Sequence, residues 1–207
     1  MFTDGRSKKV IFLAHCLLNQ NAISDGTAVY PAAFRELVQL LLDREVGIVQ
    51  MPCPELYCLG LDRGDVHGAE RPVVEENTRI RRAMEEDGPR QKREALADLV
   101  AEQIAEYHKH GFQVLGIVGA NRSPNCGVET TSDFDREVEG RGAFMEAIAQ
   151  RLEAAGIYRV VPVKINDIGD FEEKLTAYNR GEYKTAGFLH ELVLMNYGGV
   201  RLDEGYI

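Results

Sequence analysis

The sequence predicts an α/β fold with a doubly wound, mainly parallel sheet, helices on both faces and a helical C-terminal extension. Two observations predict it. Short, continuous apolar runs, typical of strands buried on both faces, recur along the chain. Between them lie longer segments whose apolar residues follow helical spacing. The alternation β-α-β-α-β-α-β favours parallel strands joined by crossover helices.

Four apolar runs are predicted as strands, because each is short, continuous and rich in branched residues. They cover residues 10–14, 46–51, 114–118 and 158–163. We expect a sheet of the Rossmann-like or flavodoxin-like kind, with the first three strands as neighbours.

Helices are predicted between these strands, over residues 31–42, 91–110 and 143–155. Residues 56–89 are interpreted as a long excursion over the strand ends, with a short helix near 75–86. Beyond the last strand, Asp170 is expected to cap one helix, and a second is expected over 186–197. We therefore predict a main domain over 1–163 and an extension over 164–207 that packs on it.

Composition narrows the function classes. The chain has 207 residues, a formal net charge of -9 and a pI of about 5.1, which argues against a nucleic-acid-binding protein. No apolar stretch approaches the length of a membrane span, and no secretory signal precedes the first strand. We expect a cytoplasmic protein that does not bind membranes, and the sequence leaves its oligomeric state open.

The cysteines point to a site. Three of the four, Cys16, Cys53 and Cys126, each follow a different predicted strand. The carboxyl ends of parallel strands meet at one edge of a sheet, where open α/β sheets bind their ligands. Convergence of these three thiols is therefore expected. Cys58, five residues beyond Cys53, is interpreted as a buried thiol outside the group.

Three converging thiolates suit a few kinds of chemistry. They complete a zinc site with water or histidine, or they bind an iron–sulfur cubane that keeps one iron open. No glycine-rich phosphate loop and no C-x-x-C pair occurs, so nucleotide-binding and thioredoxin-like functions lose support. Two non-enzymatic or metal-free alternatives stay open: a non-catalytic metal or iron–sulfur module, and a sulfurtransferase that uses one cysteine nucleophile.

Three motifs resemble those of the 2-thiouracil desulfurase family, long catalogued as a domain of unknown function. The family's Cys-Leu-Leu-Gly opening, followed by Asp-Gly, is similar to Cys16-Leu17-Leu18-Asn19 with Asp25-Gly26. Its Cys-Pro-Glu is present as Cys53-Pro54-Glu55, and its Ser-Pro-Ser-Cys-Gly as Ser123-Pro124-Asn125-Cys126-Gly127. The likeness covers roughly residues 8 to 163, in order.

The resemblance implies an oxygen-sensitive [4Fe–4S] cluster on Cys16, Cys53 and Cys126, with one open iron that takes the sulfur of a small thiolated substrate. The function it implies is a desulfidase that removes sulfur from a thiocarbonyl or thiolated heterocyclic compound by non-redox hydrolysis. Such a reaction needs an acid or base near the cluster.

Three residues are candidates for this acid–base role because each lies close in sequence to a cysteine ligand: Glu55, Asp25 and Ser123. Each also has a structural interpretation. Glu55 suits the first turn of a helix, Asp25 suits a turn, and Ser123 suits a loop or helix cap.

Overall fold

A five-stranded sheet forms the centre of the structure, a computed structural model that describes residues 2–163, 168–179 and 190–196. The strands are β1 (Lys9–Leu13), β2 (Gly47–Gln50), β3 (Gln113–Gly119), the antiparallel hairpin β4 (Thr130–Asp133) and β5 (Arg136–Glu139), β6 (Tyr158–Val163) and β7 (His190–Asn196). Without the separate hairpin, the sheet order is β2-β1-β3-β7-β6, and every pairing is parallel. The protein is therefore of the α/β class.

Helices surround the sheet. They are α1 (His15–Leu18), α2 (Arg35–Asp43), α3 (Pro54–Leu59), α4 (Val73–Met84), α5 (Asp87–Lys109), α6 (Ala143–Ala154) and α7 (Ile168–Asn179), with 3₁₀ turns at Gln20–Ala22 and Gly68–Glu70. α5 packs on β3 and α6, whereas α2 packs on β2 and α7. Among the helices in the described ranges, none combines the length and the hydrophobicity needed to cross a bilayer.

The core is centred on β1. Ile11, Phe12 and Leu13 are fully buried. Because successive side chains of a strand point to opposite faces, burial of all three means that both faces of β1 are covered. This explains why the strand is a continuous apolar run rather than an alternating one.

The four predicted strands are all present. The prediction that the first three strands are neighbours in the sheet is confirmed by the order β2-β1-β3. The helix between β1 and β2 is also confirmed. Its core face consists of Leu37 and Leu41, one turn apart and both buried. The apolar Leu42 is 58% exposed, because it lies about 100° around the helix from Leu41.

The prediction of a helix over 186–197 is wrong where the structure describes it, because residues 190–196 form β7, between β3 and β6. A short apolar run such as Leu192-Val193-Leu194 does not distinguish a strand from a helix by periodicity alone. The C-terminal extension is therefore not wholly helical. Its other helix is present as α7, with Asp170 in the first turn rather than at the cap. The boundary at residue 163 stays a prediction.

The segment predicted as a long excursion is more regular than expected. Cys53 has the extended backbone expected next to proline, with φ -82° and ψ 110°. Pro54 begins α3, since proline is well suited to the first helical position. After α3, the chain forms α4, which packs against the β4–β5 hairpin. The sequence analysis did not anticipate that hairpin.

Candidate three-cysteine site

Three loops leave the carboxyl ends of adjacent strands and each carries a cysteine. Cys16 lies in α1, directly after β1; Cys53 follows β2 and caps α3; Cys126 lies in the loop after β3. The strands are parallel neighbours, so these ends share one edge of the sheet. The thiols of Cys16 and Cys53 both influence the ionisation of Cys126, which places the three close together.

Burial and mutual repulsion keep the three thiols neutral in the protein alone. The pKa of Cys16 is raised to about 12, first by burial and then by the nearby Cys53 and Glu55. Burial, followed by Glu55, raises the pKa of Cys53 to about 11. The pKa of Cys126 lies well above its usual value, again through burial first and then through the other two cysteines. Three thiolates therefore require a compensating positive charge.

The donor chemistry of this group fits a metal cofactor. In the part of the chain that the structure describes, no group of three or more His, Cys, Asp or Glu side chains is placed to hold one metal ion. Cysteines that bind a cubane ligate different irons, so their sulfurs need not surround a single point.

The Cys126 loop is fixed against the start of α6. The carbonyl of Pro124 accepts a hydrogen bond from the amide of Ala143 at 2.8 Å, and the carbonyl of Asn125 accepts from the next two amides at 3.1 Å. These bonds satisfy the amides that a helix leaves free at its N-terminus. A Cβ atom at Gly142 would overlap the backbone of Asn125, so the close approach requires glycine.

Glu55 lies at the centre of the site and is 7% exposed. One carboxylate oxygen accepts from Arg63 Nε at 3.1 Å and from Ser24 Oγ at 3.4 Å. The other accepts from Asn125 Nδ2 at 3.0 Å. The carboxylate thus contacts the loops of Cys16 and Cys126 as well as its own helix. Glu55 is also near enough to the three thiols to raise the pKa of each thiol.

Ser123 and Asp25 occupy different parts of the region. The hydroxyl of Ser123 accepts from the amide of Cys126 at 2.9 Å and hydrogen-bonds the Cys126 thiol, which moderates the rise of that thiol's pKa. Asp25 instead lines a small pocket, together with residues from the segment 68–77. Ser24 belongs to the wall of the same pocket and links it to Glu55.

Asn125 belongs to the site, whereas Cys58 lies outside it. Asn125 is fully buried, and its Oδ1 atom has no hydrogen-bond partner in the structure as described. Cys58 lies apart from the other cysteines: its thiol contacts the carbonyl oxygen of Pro89 at 3.4 Å. Burial raises its pKa, and the charges that act on it are Lys92, Arg93 and Glu55 rather than the other thiols.

Sequence reasoning did not identify Arg63 as a site residue. It is 3% exposed and has a left-handed backbone with φ 53°. A single arginine between two glycines, in a segment rich in acids, is typical of a solvated loop. No sequence signal distinguishes it, because its burial depends on how residues 53–61 and the distant Ala22 fold around its side chain.

Comparison with known proteins gives one distant similarity. The chain is 28% identical over 152 residues to an uncharacterized protein from Methanocaldococcus jannaschii, and the alignment covers 73% of this chain and 83% of that protein. No protein-family model matches the chain. No solved structure gives a significant match. The name of the relative states no activity, so the similarity carries no function to this chain.

Proposed function

We propose that the protein is a [4Fe–4S]-dependent desulfidase that removes sulfur from a small thiocarbonyl or thiolated heterocyclic compound by hydrolysis. The observation that carries the proposal is the meeting of Cys16, Cys53 and Cys126, from three separate loops, beside a buried carboxylate. The three motifs that resemble the 2-thiouracil desulfurase family support it, because the residues of those motifs form this one region.

The reaction is balanced without an electron donor. A C=S bond is replaced by a C=O bond, water supplies the oxygen, and hydrosulfide and a proton leave. A cluster held by Cys16, Cys53 and Cys126 would supply Lewis-acid chemistry for the departing sulfur. The chain itself has to orient the substrate and move protons.

Glu55 is the leading candidate for proton transfer, because its buried carboxylate raises the pKa of all three thiols and accepts a hydrogen bond from Asn125, next to Cys126. Its bond from Ser24 Oγ links it to the wall of the pocket that contains Asp25. Ser123, which hydrogen-bonds the Cys126 thiol, is the second candidate. We propose the pocket as the place where the substrate's polar groups bind, with Asp25 accepting an N–H or O–H donor.

The alternatives have less support. A metal-free sulfurtransferase needs a cysteine with a low pKa, whereas burial raises the pKa of all three thiols here. A zinc site needs its ligands around one ion. A non-catalytic iron–sulfur module stays an outcome of the activity test.

Two finer statements belong to this proposal. The parallel sheet with both faces of β1 covered supports a doubly wound, Rossmann-like or flavodoxin-like fold. All four cysteines are free thiols, which suits the reducing cytoplasm as the protein's location.

An anaerobic sulfide-release assay tests the proposal. The chain is reconstituted with iron and sulfide, desalted, and mixed with a panel of thioureas, thioamides and thiolated heterocycles without any reductant. We expect stoichiometric release of hydrosulfide with the matching oxo product, followed by mass spectrometry. A fully loaded protein that releases no sulfide from any compound would contradict the desulfidase and favour the non-catalytic module. Activity that persists after iron is removed would favour the thiolate mechanism.

The Glu55→Gln variant assigns the proton-transfer group in the same assay. The new amide keeps the shape of the side chain, and a rotated Asn125 amide can accept its N–H through the Oδ1 atom that now has no partner. We expect unchanged iron content and a rate lower by roughly 10²–10⁴-fold. An unchanged rate would move the role to Ser123 or Asp25, whose alanine variants are the matched comparison.

A further inference from the structure

Arg63 uses its guanidinium to contact two of the three cysteine loops directly. Its Nη2 donates to the carbonyl of Ala22 at 2.6 Å, in the loop that follows Cys16. The same nitrogen donates to Cys53 Sγ at 3.8 Å. Its Nη1 donates at 3.0 Å to the carbonyls of Gly60 and Leu61, which fixes the side chain relative to its own segment. The planar fork is thus fully used.

The third loop is reached through Glu55. Arg63 Nε donates to one carboxylate oxygen of Glu55 at 3.1 Å, and Asn125 Nδ2, next to Cys126, donates to the other at 3.0 Å. The side chains of the ion pair are only 3% and 9% exposed. Breaking a buried pair by removing one partner is costly, because it leaves an uncompensated charge in the interior.

We propose that Arg63 is a positioning residue of the cofactor site: it holds the three cysteine loops in register and donates a charge-assisted hydrogen bond to the Cys53 sulfur. This inference rests on the proposed function, since it gives Arg63 a role toward the cluster. Two properties of the Arg63 side chain have separate effects. The fork geometry holds the loops, and the positive charge acts on the thiolate.

The charge has a consequence for the cofactor. A [4Fe–4S]²⁺ core on three thiolates carries a net negative charge, and Glu55 adds another close by. Arg63 is the cation in contact with both Glu55 and Cys53. Hydrogen bonds to the ligand sulfurs and the net charge of the site set the reduction potential of a cluster. Removal of Arg63 should therefore make the cluster harder to reduce.

Hydrogen exchange on the metal-free full chain tests the positioning of the loops. The variants are Arg63→Gln and Arg63→Lys, and the matched control is Arg93→Gln. Arg93 is likewise buried, at 5% exposure, and among the described residues its hydrogen bonds go to Met84, Glu85 and Glu94 rather than to the three loops. We expect amides in residues 16–24 and 123–127 to exchange about tenfold or more faster in both Arg63 variants. The control should leave them unchanged.

A redox titration of the loaded chain tests the charge. We expect the reduction potential of the cluster, followed by electron paramagnetic resonance, to move to more negative values in Arg63→Gln. Arg63→Lys should restore the potential in part, because it keeps the charge, while leaving the loops fast in hydrogen exchange. A loss of general stability would not produce this separation. If Arg63→Gln does not fold, both measurements are made on Arg63→Lys, with Arg93→Lys as its control.

Two results would overturn the inference. One is hydrogen exchange in the three loops that is the same in the Arg63 variants and in the Arg93 control. The other is a loaded Arg63→Gln chain with the potential of the wild type. A wild-type chain that takes up no cluster contradicts the proposed function instead, and hydrogen exchange then still decides whether Arg63 holds the loops.

Discussion

The cysteines of the site have pKa values above those of thiols exposed to solvent. Their surroundings hold two effects that act in the same direction: burial disfavours the charged thiolate, and each thiolate disfavours its neighbours. A thiol that is neutral at physiological pH is a poor nucleophile. The same group becomes a good ligand set when a metal cofactor supplies positive charge, because the metal displaces the protons.

Alkylation of the metal-free protein tests this electrostatic description. Since burial raises the pKa of Cys53 to about 11 and of Cys16 to about 12, the thiolate fraction of both increases steadily as pH rises through the range in which proteins stay folded. We expect iodoacetamide rates, measured residue by residue with mass spectrometry, to rise from pH 7 to 9.5 without levelling off. The unfolded chain in urea, the control, should reach its half-maximal rate near pH 8.5 and begin to level off about one pH unit higher. A plateau near pH 7 in the folded chain would contradict the description.

At this scale, prediction from sequence succeeds where a residue's place along the chain determines its place in space. Cys16, Cys53 and Cys126 follow strands, so their approach could be predicted. The position of Arg63 could not be predicted, because its partner Ala22 is 41 residues away and the loop geometry that joins them leaves no pattern in the sequence. The motif around Cys53 also did not reveal that Glu55 is an ion-pair partner.

The contact between the Cys126 loop and α6 is the element on which the position of this cysteine depends. The first amides of α6 donate hydrogen bonds to the carbonyls of Pro124 and Asn125, so loop and helix are held as one unit. Gly142 makes this possible through the absence of a side chain rather than through unusual backbone angles, since its φ is -66°.

Gly142→Ala should therefore destabilise the metal-free chain by about 1–3 kcal/mol, because the new methyl group overlaps the Asn125 backbone. Gly88→Ala is the matched control: it lies in the first turn of α5, and nothing lies within 4 Å of the added Cβ. There we expect a neutral effect or a gain of about 0.4–1 kcal/mol. Urea denaturation measures both changes. Equal stability of the two variants would show that the loop and α6 are not held in this close contact.

Elements of the fold were predictable to the extent that periodicity and buried runs reveal them. The long helix α5 and the strands β1 to β3 have clear patterns. β7 was misread because its apolar run is short and fits both a strand and a helix. The β4–β5 hairpin is polar and turns at Phe134 and Asp135, both with positive φ, so it lacks the glycine turn that usually marks a hairpin.

At the scale of the whole molecule, sheet order determines which distant segments meet. β1 lies between β2 and β3, so the loops after all three strands share one edge, although their cysteines lie up to 110 residues apart in sequence (126 - 16 = 110). The order of the first three strands could be predicted from their alternation with helices. The insertion of β7 beside β3 could not, because it depends on the misread C-terminal run.

Iron and acid-labile sulfide analysis after anaerobic reconstitution tests the central claim most directly. The chains compared are the wild type, Cys16→Ser, Cys53→Ser, Cys126→Ser and, as the matched control, Cys58→Ser. The account predicts about four irons and four sulfides per chain in the wild type and in Cys58→Ser, and loss of the cluster in each of the other three variants. Full cluster content in any of those three variants, or its loss in Cys58→Ser alone, would contradict the account.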